Sequence, residues 1–146
     1  RRRARDGLRG RPPRAGTSAV SAAPGSGSYL DEIFAAIRGG ASQLTAMKTW
    51  LSSAERAASS PWRFQFLAAA RAAHRQAGAL LDATEEQLRQ LGPADQVPAP
   101  LDQLPRNIAA MRADLLAEER HLHRLETEAT SREHARDEAS RRGRSS

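Results

Sequence analysis

The chain has 146 residues, enough for one domain at most. It contains no Cys, which excludes a disulfide framework and a thiolate metal site and fits an intracellular setting, and no apolar run nears the ~20 residues that cross a bilayer. The formal charge is +6, yet residues 1–14 hold seven Arg and one Asp, residues 132–146 five Arg and three acids, and residues 15–131 eleven basic against thirteen acidic side chains. The basicity therefore belongs to the ends, and the excess of 22 Arg over the single Lys48 reads as the codon bias of a GC-rich genome.

Residues 1–27 are read as a disordered basic arm or linker, rich in Arg, Ser, Gly and Pro. The composition is also that of an organelle transit peptide, but "RGRPPRAGTSAVSAAPGSGS" lacks the periodicity of an amphipathic targeting helix. Arg stands at position 1 in place of Met, from which a piece or processed product of a longer chain is expected. Arg1, Arg2, Arg3, Arg5, Arg9, Arg11 and Arg14 are candidates for neutralising phosphates without reading sequence. No aromatic lies among them to stack on bases.

From Ser28, which with Asp31 makes a capping-box start, apolar or small residues recur at 3-4 spacing as Leu30, Ile33, Ile37, Gly40, Leu44, Met47, Leu51, Ala54 and Ala58. This predicts a first helix over about 29–58. "SSPW" interrupts it, with Ser60 suited to an N-cap and Pro61 to the first helical position. A second helix is predicted over 61–91, its stripe Leu67, Ala70, His74, Ala77, Leu81, Thr84, Leu88 and Leu91, ending at Gly92-Pro93. The third, over 101–131, carries Leu101, Leu104, Ile108, Met111, Leu115, Glu118, Leu122, Leu125 and Ala129, with Pro105 tolerated in its first turn. Residues 132–146 show no apolar seam and are expected to fray.

In an antiparallel hairpin, paired positions share a constant sum. The pairs 54 with 67 through 30 with 91 do so and centre on Ser60-Pro61; the pairs 67 with 125 through 91 with 101 do so and centre on Gln96. The fold class that follows is all-α, an antiparallel up-down-up three-helix bundle with coiled-coil-like heptad packing over residues 28–131, flanked by disordered Arg-rich tails. Each helix would be about 45 Å long. Small faces large in several layers, as with Gly40 beside Leu81 and Met111. Charges flank the third seam, Arg112, Glu119 and Glu126 on one side and Asp114 and Glu128 on the other, a composition that could equally pair with another chain.

"LLAEERHLHRLE", residues 115–126, contains the one Glu-x-x-His motif, Glu118 to His121. A di-iron bundle needs a second such motif and further inward carboxylates, and His123 lies about 200° around the helix from His121. Solvated histidines beside a leucine seam are the expectation, with no metal and no cofactor. Both registers instead place Glu118 in one layer with Met47 and His74, predicting a buried polar pair of His74 and Glu118. No nucleophile context, phosphate loop or cleft suggests an enzyme.

Trp62, Phe64 and Phe66 crowd the start of the second helix, and Trp50 lies near the end of the first. Together with Leu80 and Leu116, outside the strict seam, they are candidate protein-binding residues. The third segment with its Pro-rich approach resembles the helical hairpins in coiled-coil subunits of nuclear-pore channel proteins, a likeness that covers residues 60–130. That resemblance lies in heptads without a shared motif, implies no residue roles, and is unaccompanied by any Phe-Gly repeat in the chain. The expected function is a non-catalytic helical scaffold or adaptor whose partner is another protein, helical itself or a second copy. The alternative is a nucleic-acid-associated helical protein using its Arg-rich arm.

Overall fold

The computed structural model describes residues 26–93, 97–99 and 101–145. Nearly all of the arm expected over 1–27, including its seven Arg, lies outside the described residues. Among these residues the chain is all-α, with no strand. Helix α1 spans Ser26–Arg56, α2 Trp62–Gln90 and α3 Leu104–Ser145, the last preceded by a 3₁₀ turn at Leu101–Gln103. No helix is long and apolar enough to cross a membrane among the described residues. The chain divides into two compact units, the first ending at Ala35 and the second running Ala36–Ser146. Within the first, Ile33 is fully buried and its neighbours Asp31 and Glu32 are exposed.

The helix ends follow from local chemistry. Ser60 Oγ accepts a hydrogen bond from the Trp62 N–H at 3.1 Å, satisfying one of the donors that a helix start leaves without an intrahelical partner. Pro61, with φ −62°, already has the helical value that its ring imposes. At the other end of α2 the Gly92 N–H bonds to the Arg89 carbonyl, and Gly92 takes φ +112°, a conformation that a side chain would strain. Pro105 stands second in α3, where its missing N–H costs nothing. The start of α1 at Ser26, two residues ahead of the expected cap at Ser28, is within the usual spread of helix boundaries.

One expectation fails at the C-terminal end: α3 does not fray after 131 but continues to Ser145. Every side chain of residues 130–144 is exposed, so no seam supports this stretch. Pairs along the helix do: Arg136 with Glu133 at 3.6 Å, Arg142 with Glu138 at 3.5 Å, and Arg144 donating to Ser140 Oγ at 3.1 Å. Each places the cation or donor C-terminal to its partner, the orientation that the helix dipole favours.

The second unit is a helical bundle. Its core contains Leu44, Met47, Leu51 and Ala54 of α1, Leu67, Ala70, Ala73, Ala77 and Leu81 of α2, and Ile108, Leu115, Leu122 and Ala129 of α3. Burying a side chain the size of Met47, Leu51, Leu81, Ile108 or Leu122 stabilises by about 1.5–3 kcal/mol. Thr84 is buried among them with its hydroxyl donating to the Leu80 carbonyl at 2.8 Å. Between α1 and α2, Trp50 stacks on Phe66, and a Cβ added to Gly40 of α1 would stand 3.5 Å from Leu81 of α2 and 3.3 Å from Met111 of α3. Arg71 meets Glu126, and Arg112 meets Glu85, between α2 and α3. Between α1 and α3, Lys48 pairs with Asp114 and Glu55 with His121, both 66 residues apart.

Candidate interaction surface

The turn between α1 and α2 brings four aromatics, Trp50, Trp62, Phe64 and Phe66, to one end of the second unit. Trp50 is 38% exposed and its ring stacks on Phe66, with centroids 5.9 Å apart and planes inclined by 19°. Phe66 is half-buried and packs against the core, so it anchors Trp50 from below. Trp62 is 61% exposed and Phe64 41%, both in the first turn of α2. Of the two leucines expected to widen this surface, Leu116 is 47% exposed. Leu80 is not available in the same way: its Cδ1 would lie 3.1 Å from a Cβ on Gly39, so it covers the glycine backbone of α1.

Arg63, between Trp62 and Phe64, is 5% exposed, the one charged residue in the bundle so deeply buried among the described residues. Its Nη1 donates to the Ala58 carbonyl at the end of α1, and its guanidinium carbon stands 5.3 Å from the centre of the Phe64 ring. Arg132 of α3 reaches the same Ala58 carbonyl at 3.3 Å. Two cations thus close the C-terminal end of α1, where the helix dipole is negative. The Arg63 Nε, by contrast, is buried with no hydrogen-bond partner, a condition that costs about 1–3 kcal/mol or more. The Arg63 side chain borders a recess of about 260 Å³ that Ala54, Glu55, Ala58, His121, Arg124, Leu125 and Glu128 also line.

The expected pair of His74 and Glu118 is not formed. His74 Nε2 stands 3.6 Å from Glu119, and Glu118 lies 3.9 Å from His121 Nδ1 on its own helix. In this layer the small Ala73 takes the buried position of α2 beside the core, and His74, half-buried, faces Glu119 of α3. His121 Nε2 in turn bonds Glu55 of α1 at 2.8 Å, while His123 is exposed beside Arg120 and Arg124. Among the described residues no group of three or more His, Asp or Glu could hold a metal ion.

The charged flanks of α3 face the neighbouring helices of the same chain. Arg112 bonds Glu85 and Asp82, holding the Glu85 carboxyl below its ordinary range while its own guanidinium is held above. Arg71 binds Glu126 at 2.7 Å, which raises the Arg71 pKa, chiefly through that hydrogen bond. Lys48 is raised first by its bond to Asp114. Each pair is about a third or more exposed on at least one side, so it orients helices more than it stabilises them. Comparison with protein-family models, curated proteins and solved structures gave no match.

Proposed function

We propose that this protein is a non-catalytic scaffold or adaptor, an up-down-up three-helix bundle with heptad packing that binds another protein through its aromatic end. The reading of the bundle draws on the contact pairs: Gly40 with Leu81 and Met111 fits both hairpin sums, and Lys48 with Asp114 fits a first and third helix running the same way. The observation that carries the function is Trp62, an indole 61% exposed with Phe64 and Trp50 also open at the same turn. Solvent-facing aromatics on a rigid support supply large contact area at low entropic cost, and hot spots are rich in them. The separation of core from surface supports this: the core is complete without Trp62, Phe64 or Trp50.

Capture of a partner by the full chain, repeated with Trp62→Ala, tests the proposal. The substitution is expected to weaken the complex by at least about 2 kcal/mol, as a hot spot does, while the stability measured by urea unfolding changes by no more than about 0.5 kcal/mol, as for an exposed site. A loss of 3–5 kcal/mol in stability, the cost of truncating a buried Trp, would place the indole in the core and remove the reading. A second reading, nucleic-acid association, draws on the seven Arg of residues 1–14, which lie outside the described residues.

A further inference from the structure

We propose that the recess bordered by Arg63 binds one carboxylate of an acidic side chain in the partner protein, with the guanidinium of Arg63 as the inner positive group and Arg124 as the outer one. The inference rests on the adaptor reading and names the chemistry of what docks beside the aromatic end. Arg63 is 95% withdrawn from solvent, its Nη1 is committed to the Ala58 carbonyl, and its Nε points no donor at any acceptor in the protein. A guanidinium held in this way presents a fixed donor, and the ligand shape that matches such a donor is a planar carboxylate or a phosphate. Arg124, on the α3 wall of the same recess, forms no ion pair or hydrogen bond among the described residues.

The other charges decide between the two anions. Glu55 and Glu128 also line the recess. Glu55 is engaged by His121 at 2.8 Å, whereas Glu128 has no partner among the described residues. A phosphate near pH 7 carries up to two negative charges and would meet both carboxylates at close quarters, while a carboxylate carries one. The recess, at about 260 Å³, admits a carboxylate with its methylenes, and Ala54, Ala58 and Leu125 supply apolar wall for those methylenes. Phe64, against the Arg63 guanidinium and 41% exposed, joins the recess to the aromatic surface, so an acidic residue flanked by apolar ones could engage both.

The test is a titration of the isotopically labelled full chain, read at the Arg63 Nε–H signal. Acetyl-Leu-Glu-Leu-amide is the probe, with acetyl-Leu-Gln-Leu-amide, inorganic phosphate and a single-stranded oligonucleotide as comparisons. The Glu peptide is expected to shift the Arg63 signal saturably, with the Gln peptide weaker by about tenfold or more, the worth of a charge-assisted hydrogen bond. Arg63→Lys keeps the charge but removes the planar guanidinium together with its Nε–H signal, so it is read at the Leu125 backbone amide, where it should weaken the Glu peptide to a similar extent. Arg124→Gln, on the outer wall and exposed, does the same without touching a buried group and serves if Arg63→Lys fails to fold. Glu128→Gln should tighten binding, since it removes a like charge. An unmoved Arg63 signal, equal response to the Gln peptide, or weaker binding by Glu128→Gln overturns the proposal. Tighter binding of phosphate or the oligonucleotide also overturns it, in favour of a phosphate site. Should the carboxylate site fail while Trp62→Ala still weakens partner capture, the adaptor reading stands without it; loss of the Trp62 effect alone removes that reading.

Discussion

Gly78, in the middle of α2, has nothing within 4 Å of where a Cβ would be, whereas Gly39 would place one 3.1 Å from Leu80 Cδ1. Ala in place of Gly is worth about 0.8–1 kcal/mol in a helix interior. Gly78→Ala is therefore expected to raise the stability measured by urea unfolding by that amount, and Gly39→Ala to gain less or lose, because Leu80 must move. Equal gains at both sites would mean that α1 and α2 do not approach as closely there as the structure has them. Some residue roles were legible in the sequence: Gly40 was placed with Leu81 and Met111 by register alone. Arg63 was legible and missed, since one step of four back from Leu67 lands on it, opposite the small Ala58 and Ala129. A guanidinium in a seam violates the hydrophobic pattern, and its carbonyl partner at a helix end has no side-chain signature. His74 was misplaced for a different reason. A seven-residue repeat cannot say which of two adjacent positions turns inward when the helix drifts by a few tens of degrees, and the small Ala73 could enter where His74 was expected.

At the scale of the helix, the ends of α2 and the interruption at Ser60-Pro61 were legible because Pro, Gly and Ser act locally. The continuation of α3 to Ser145 was not, because its support comes from spaced charges and not from a seam. Such pairs are worth about 0.2–0.5 kcal/mol each, far less than burial. Amides of 132–145 are accordingly expected to exchange with deuterium much faster than those of 111–125, although both stretches are helical. Similar protection in both would show that something covers the exposed segment in solution. The clasp between α2 and α3 carries a pH signature. Glu85 is held below its ordinary 4.5, first by the hydrogen bond from Arg112 and then by its charge, against desolvation. A carboxylate lowered in the folded state adds stability above its unfolded value, and that contribution is lost as pH falls through the folded one. Arg112→Gln should thus destabilise at pH 7, by less than about 1 kcal/mol given the exposure of the pair, and the difference from wild type should vanish as pH falls through the lowered Glu85 pKa. A gap that persists in acid would assign the effect of Arg112 to packing of its stem.

For the molecule as a whole, the separation of charge from core governs how the competing functional readings can be told apart. All buried side chains among the described residues lie between Ile33 and Ala129, while the ends hold twelve of the 22 Arg. An interface on the bundle and one on the arm therefore respond to salt in opposite ways. If the seven Arg of residues 1–14 each neutralised a phosphate, the logarithm of affinity would fall against the logarithm of salt with a slope of about −6, and affinity would drop by more than about 10³ between 50 and 200 mM. Burial of Trp62 and Phe64 is an apolar contribution that salt does not screen, and a single carboxylate on Arg63 adds one charge pair within a partly enclosed recess, which is screened less than an exposed pair. The adaptor reading accordingly predicts that the complex of the full chain weakens by less than about tenfold over that range of salt, and that deletion of residues 1–14 leaves its affinity at 200 mM within a factor of about two. Isothermal titration at both salt concentrations, with the full chain and the deleted one, measures this directly. A steep slope that disappears with the deletion would transfer the binding site from the aromatic end of the bundle to the arginines of the arm.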